Sequence, residues 1–131
     1  MDRPVFLSVD NVLYMHSNTI QTEGGCDGVR DVALLESAVM MPQQQFGGEY
    51  LHHGLAAMAA AYLFHIACNH PFVDGNKRAG AMAAFVFLDA NGQELGATEA
   101  EFEEKVLEVA SSATSKDELT LWFTEHCYPR G

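Results

Sequence analysis

The residues best suited to chemistry lie together in one short segment, residues 70–78, which reads HPFVDGNKR. His70 carries an imidazole that can take a proton from a hydroxyl group near neutral pH. Asp74 offers the hard carboxylate oxygens that suit Mg2+, an ion that usually shares its protein ligand with substrate phosphates. The segment therefore predicts phosphate chemistry, with His70 as the general base and Asp74 as the metal ligand.

The last four residues of the segment add groups that suit phosphate oxygens. Gly75 has no Cβ, so its backbone can approach a phosphate closely. Asn76 supplies an amide donor, Lys77 a mobile positive charge, and Arg78 a planar fork for two oxygens. We expect these four residues to bind the phosphates of a nucleoside triphosphate.

Each residue of the segment also has an ordinary structural use. A histidine after a helix is often a cap or a packing residue, and Asp-Gly-Asn is common turn chemistry. A single match of this kind is weak evidence for function. The combination of base, carboxylate and two cations in nine residues favours the functional interpretation.

Two apolar segments must hold this loop in place, residues 56–68 before it and residues 79–88 after it. Pro71 and Gly75 interrupt helical propagation between them. The pattern predicts buried helices at about residues 54–69 and 76–90, with Phe72 anchoring the loop in the core. Unpaired N–H groups at the start of the second helix would then point into the loop and attract anions.

The rest of the chain also reads as helices, and the expected fold is all-α with about six of them. Residues 43–50 are polar, contain Gly47 and Gly48, and predict a short flap loop or hairpin. The other helices are expected at about residues 8–21, at 31–40, and after the capping boxes Thr98–Glu101 and Ser115–Glu118.

Composition sets the outer limits. A chain of 131 residues with 48% hydrophobic content predicts one domain over residues 1–131. The formal net charge of −11 argues against direct binding of nucleic acid, which depends on Lys and Arg, and suits a basic protein partner.

The cysteines and histidines show no pattern of a disulfide framework or a zinc site. The three cysteines are Cys26, Cys68 and Cys127, and no secretory signal peptide precedes them, which favours a cytoplasmic location. His65 interrupts the longest apolar run, so no membrane span is expected. The ligand spacing of a zinc site is missing from the set His52, His53, His65, His70 and Asp74.

The segment 70–78 resembles the signature of the Fic-domain proteins, and specifically of their death-on-curing (Doc) branch. Most Fic enzymes have Gly at the position of Lys77 and a second Arg at the position of Ala81, and both differences point to the Doc branch. The resemblance covers about residues 6–95. It includes the segments Gly24–Gly25, 28–31, 34–39, 46–48 and 87–92.

The resemblance implies a reaction that uses ATP and Mg2+. Fic enzymes usually transfer the AMP part of ATP to a target hydroxyl. In the Doc branch the lysine accompanies an inverted nucleotide that presents its γ-phosphate, so Lys77 predicts a protein kinase. Two alternatives stay open: an AMP transferase with the same residue roles, and a non-catalytic Doc-like binding protein.

The resemblance also implies protein partners. The family pairs with a small antitoxin of the Phd type, and its best-known target is a threonine hydroxyl of translation elongation factor Tu. The flap around residues 46–48 would align the target peptide. Residues 19–24 fit the pattern of a self-inhibitory helix found in some Fic proteins, but Glu23 stands beside a Gly-Gly stop and is interpreted as ordinary helix-end sequence.

Overall fold

The computed structural model describes residues 3–131 of the chain. These residues form six α-helices, which confirms the prediction of an all-α fold. The helices are α1 (Val9–Glu23), α2 (Val32–Met40), α3 (Leu55–Asn69), α4 (Asn76–Ala90), α5 (Glu99–Ala110) and α6 (Lys116–His126).

Helices α3 and α4 lie side by side at the centre of the fold. Both are rich in buried alanine, and Gly80 of α4 faces α3 so closely that a Cβ there would lie 3.1 Å from the carbonyl oxygen of Leu63. This close approach explains why α4 tolerates a glycine in its interior, where it costs about 1 kcal/mol relative to alanine. Because the two helices pack tightly, the loop that joins them has firmly placed ends.

The remaining helices surround this pair. The buried core draws apolar side chains from all six helices, for example Val12 of α1, Leu35 of α2, Val109 of α5 and Phe123 of α6. None of the helices in the described part of the chain is long and apolar enough to cross a membrane.

The helix starts follow the predicted capping signals. The side chains of Ser8, Thr98 and Ser115 each accept a hydrogen bond from the backbone N–H three residues later. In all three cases the side chain of that later residue accepts a hydrogen bond from the backbone N–H of the capping residue. Asp31 caps α2 in the same position without the returning bond. The start of α4 was predicted at the observed residue, whereas α1 continues two residues beyond the expected Gln21.

Two small antiparallel ladders complete the fold. Strands β1 (Gln45–Phe46) and β2 (Glu49–Tyr50) form a hairpin. A hairpin was one of the two conformations predicted for the flap, the other being a loop. Its turn residues Gly47 and Gly48 have φ of 61° and 84°, which only glycine adopts readily. Strands β3 (Gln93–Leu95) and β4 (Cys127–Pro129) pair near the end of the chain, an element that the sequence did not predict.

Candidate active site

The loop between α3 and α4 turns at both of its ends through left-handed backbone. His70 follows α3 with φ 52° and ψ 56°, and Gly75 precedes α4 with φ 77° and ψ 21°. Pro71 and Phe72 are buried between these turns, whereas His70 and Asp74 are exposed. The loop therefore presents the imidazole of His70 and the carboxylate of Asp74 to solvent while its middle is fixed in the core.

A second segment, residues 28–31, lies along this loop and holds it. Val29 and Phe72 form an isolated β-bridge, and the N–H of Val73 donates to the carbonyl oxygen of Gly28 at 3.0 Å. Arg30 donates through its backbone N–H to Pro71 O at 2.7 Å and through Nε to His70 O at 2.6 Å. Arg30 thereby fixes the backbone of His70 and leaves its ring exposed.

Phe72 is buried, as expected for the anchor of the loop. The side chain of Asn76 brackets it, because Oδ1 accepts from Phe72 N at 2.9 Å and Nδ2 donates to Phe72 O at 3.0 Å. The amide thus braces the loop with one of its two Nδ2 hydrogens. Donation by this amide to phosphate stays a prediction.

The first turn of α4 carries the groups suited to phosphate. No side chain caps it, and within the described residues the backbone N–H groups of Asn76, Lys77 and Arg78 have no hydrogen-bond partner. The side chains of Lys77 and Arg78 are exposed. Free N–H groups, the helix dipole and two cations thus favour an anion at the same point.

Arg78 is shared with an acidic residue of α1. Its Nε lies 3.5 Å from Oε1 of Glu23, and both side chains are about half exposed. From the sequence, Glu23 was interpreted as ordinary helix-end sequence, whereas in the structure it lies against a candidate phosphate ligand. An anion that binds the guanidinium group of Arg78 competes with this carboxylate.

Asp74 is held as an ionised carboxylate. Its Oδ2 accepts from the N–H of Cys26 at 3.2 Å and its Oδ1 from the N–H of Gly75 at 2.8 Å. These two hydrogen bonds, first that of Cys26 and then that of Gly75, lower the pKa of the Asp74 carboxyl group, and the charge of Arg78 acts in the same direction.

The surroundings of Asp74 fit a divalent cation such as Mg2+. The carboxylate is exposed and ionised, and each oxygen keeps lone pairs beyond the hydrogen bond that it accepts. Within residues 3–131 no group of three or more His, Cys, Asp or Glu is placed to hold a metal ion. A single carboxylate is nevertheless an ordinary Mg2+ site where substrate phosphates and water supply the other ligands.

Three further residues build this site: His16, Gly25 and Arg30. None of them was among the predicted site residues, although Gly25 and Arg30 lie in segments that resemble the family. His16 is buried, and its Nε2 lies 2.7 Å from the carbonyl oxygen of Asp74. A signal existed, because His16 stands four residues after Val12 and four before Ile20, on the apolar face of α1. A histidine at such a position needs a buried hydrogen-bond partner.

The other histidines of the suggested zinc set lie apart from the loop. The Nε2 atoms of His52 and His65 lie 3.1 Å and 3.2 Å from Nζ of Lys116 at the start of α6. Burial, and then the Lys116 charge, lower the pKa of His65 to about 4 and also lower that of His52. The Lys116 ammonium group thus lies between these two rings, at the position that a metal ion shared by them would need.

The sequence of this chain is similar to those of a known protein family and of two of its named members. Residues 6–88 match the family model described as the Fic/DOC family. A protein of Mycolicibacterium smegmatis named Toxin Doc is 46% identical over 74 residues, which cover 56% of this chain and 57% of that protein. Protein kinase doc of Escherichia phage P1 is 30% identical over 86 residues, covering 66% of this chain and 68% of the phage protein. The alignment therefore spans little more than half of the mycobacterial relative.

Proposed function

This chain belongs to the Fic/DOC family, and on that premise we propose that it is a Doc-like toxin that transfers the γ-phosphate of ATP to a Ser or Thr hydroxyl of a protein. The observation that carries the proposal is the loop itself. It combines the exposed ring of His70, the ionised Asp74 and the uncapped start of α4 with Lys77 and Arg78.

The proposed roles follow from the chemistry of each group. His70 takes the proton of the target hydroxyl while that oxygen bonds to the γ-phosphorus. The bond from that phosphorus to the bridging oxygen of ADP breaks, and ADP leaves. The N–H groups of the α4 start, Lys77 and Arg78 hold the phosphates, and Asp74 would hold Mg2+, which supplies charge neutralisation.

Lys77 supports transfer of phosphate over transfer of AMP. A lysine adds a long stem and a positive charge where glycine would leave bare backbone at the helix start, so the triphosphate must be placed differently. The relative that carries the name protein kinase is 30% identical over two thirds of this chain, which agrees with this choice.

Protein partners belong to the same proposal. A relative named Toxin Doc supports restraint by an antitoxin, which we propose to be a small protein of the Phd type. For the target we propose elongation factor Tu, with its peptide aligned along the flap, where Phe46 is 81% exposed. All three cysteines are free, which agrees with a reducing cytoplasm.

The test compares ATP labelled at the γ position with ATP labelled at the α position. The purified chain is incubated with either nucleotide and with elongation factor Tu or a bacterial lysate. We expect transfer of γ label only, and loss of that transfer in His70→Ala. His53→Ala is the matched control, because it removes an exposed imidazole outside the loop.

Each outcome separates the candidates. Transfer of α label that depends on His70 would establish an AMP transferase instead. Absence of any His70-dependent transfer, in the lysate as well as with elongation factor Tu, would leave a non-catalytic Doc-like binding protein as the surviving interpretation. Transfer to lysate proteins but not to elongation factor Tu would reject that target alone.

A further inference from the structure

His16 lies in the middle of α1, is 2% exposed, and contacts the loop through its ring. Its ring stacks on the ring of Phe72, with 3.7 Å between the ring centroids and 5° between the planes. Phe72 is itself fixed by two backbone hydrogen bonds with the Asn76 side chain, one accepted by Oδ1 and one donated by Nδ2. The imidazole therefore has a defined plane and a defined direction for each nitrogen.

The hydrogen bond of His16 reaches the peptide that joins Asp74 to Gly75. Its Nε2 lies 2.7 Å from Asp74 O, and since a carbonyl oxygen only accepts, Nε2 carries the hydrogen. The N–H of the same peptide donates to Asp74 Oδ1 at 2.8 Å. One peptide unit thus connects the ring of His16 to the carboxylate of Asp74, and rotating this peptide would break both hydrogen bonds.

A role in packing alone does not account for this histidine. A phenylalanine would fill the same space beside Phe72 without the cost of burying a polar ring. The other ring nitrogen, Nδ1, lies 3.7 Å from Oδ1 of Asp27, which is beyond hydrogen-bond distance, and the Asp27 side chain is 67% exposed. The short bond to Asp74 O is therefore the interaction that distinguishes histidine at this position.

We propose that His16 is a positioning residue: it sets the Asp74–Gly75 peptide so that the Asp74 carboxylate faces a divalent cation and α4 begins with its N–H groups toward the phosphates. This proposal rests on the proposed function, because the cation and the nucleotide belong to it. It assigns to α1 a part in metal binding that requires no metal ligand on that helix.

Two variants separate the hydrogen bond from the ring. His16→Phe keeps a ring over Phe72 and removes the donor, whereas His16→Gln keeps a donor and removes the ring. Thr19→Val is the matched control, since Thr19 is buried in the same helix and its hydroxyl donates to Met15 O within α1. Near-ultraviolet circular dichroism checks that each variant has folded.

Two measurements are made without the transfer reaction. The first is the amide hydrogen exchange of Gly75 in metal-free protein, which we expect to be about tenfold faster in His16→Phe. The second is Mn2+ binding in the presence of ADP by titration calorimetry, which we expect to weaken by about tenfold, as for other groups that orient a metal ligand. His16→Gln should lie closer to wild type in both, and Thr19→Val should match wild type.

The outcomes distinguish this proposal from the proposed function. Wild-type exchange and wild-type Mn2+ affinity in a folded His16→Phe would overturn it, as would a His16→Gln variant as defective as His16→Phe. If Asp74→Asn leaves Mn2+ affinity unchanged, the metal role in the proposed function fails. Even in that case, faster exchange of the Gly75 amide in His16→Phe would support the proposal that the hydrogen bond of His16 fixes the Asp74–Gly75 peptide.

Discussion

The carboxylate of Asp74 occupies its position because residue 25 has no side chain. Gly25 has φ 118°, and a Cβ there would lie 2.7 Å from Asp74 Oδ2. We expect Gly25→Ala to displace the carboxylate and to weaken Mn2+ binding in the presence of ADP by about tenfold, measured by titration calorimetry.

Gly24→Ala is the matched control for Gly25→Ala. Gly24 also has a positive φ, 87°, but a Cβ there meets nothing within 4 Å. Both variants carry the backbone strain of a side chain at positive φ, and only one contacts the carboxylate. Equal loss of metal binding in the two variants would show that strain in the loop, and not contact with Asp74, is responsible.

Glu23 pairs with Arg78 and would compete with phosphate if Arg78 binds it as we propose, so removing the Glu23 charge should favour nucleotide binding. We expect Glu23→Gln to tighten ADP binding by about two- to fivefold, the range that an exposed ion pair contributes. The measurement is calorimetry at low ionic strength, and the gain should shrink as added salt screens the pair. Glu125→Gln removes an equal charge from an exposed position on α6 and serves as the control; an equal gain in that variant would assign the effect to net charge.

At the scale of residues, the sequence identified the loop but not the residues of other segments that hold it in place. The residue types of segment 70–78 predict phosphate chemistry, because an imidazole, a carboxylate and two cations lie within nine positions, and the roles of these residues stay a prediction. The roles of His16 and Arg30 were not predictable in this way. Their partners lie 58 and 40 residues along the chain, and only the packing of α1 and of segment 28–31 against the loop brings them together.

At the scale of elements, local signals predicted the helices and missed one ladder. Capping residues and the Gly47–Gly48 turn act within a few positions, so the sequence marks several helix starts directly and narrows the flap to a loop or a hairpin. The pairing of β3 with β4 joins residues more than thirty positions apart through strands of three residues. Strands that short show no alternation from which pairing could be predicted.

The contact between α3 and α6 should make stability depend on pH. The pKa of His65 is about 4 in the folded chain, chiefly because of burial, and its ordinary value is 6.5. Between these values the unfolded chain binds a proton that the folded chain does not, so the free energy of unfolding falls as pH drops from 6.5 toward 4. His52, whose pKa is also lowered, acts in the same direction.

This dependence can be measured by urea unfolding between pH 7 and pH 5. The carboxyl groups with lowered pKa values, such as Glu108 and Glu118, lose their contribution only below their ordinary value of 4.5, so this window isolates the imidazoles. We expect His65→Gln, which still offers Lys116 an acceptor, to show a smaller loss of stability on acidification than wild type. His53→Gln is the control on an exposed neighbour, and an unchanged slope in His65→Gln would contradict the prediction.

At the scale of the whole molecule, the few cations are mostly engaged. Lys105 and Arg130 pair with Glu108 and Asp89, Arg30 binds the backbone of His70, and Lys116 lies between two histidines. Lys77, by contrast, has no ion pair within the described residues. We propose that residues 1–131 form one domain, since one core draws on all six helices. Its surface is acidic, and at the loop it presents the exposed Lys77 beside the half-exposed pair of Arg78 and Glu23.

The same excess of acidic charge should make the fold sensitive to salt. With a net charge of −11, repulsion between carboxylates opposes the compact state at neutral pH. Raising sodium chloride from 10 to about 150 mM shortens the screening length from about 30 Å to about 8 Å. We expect the melting temperature at pH 7 to rise by a few degrees, measured by calorimetry, and potassium chloride to act equally.

At pH 5, close to the isoelectric point of about 4.7, the same addition should have little effect because the repulsion has largely disappeared. A melting temperature that falls with salt at pH 7 would mean that the ion pairs of Lys105, Arg130 and Arg78 contribute more to stability than the repulsion costs.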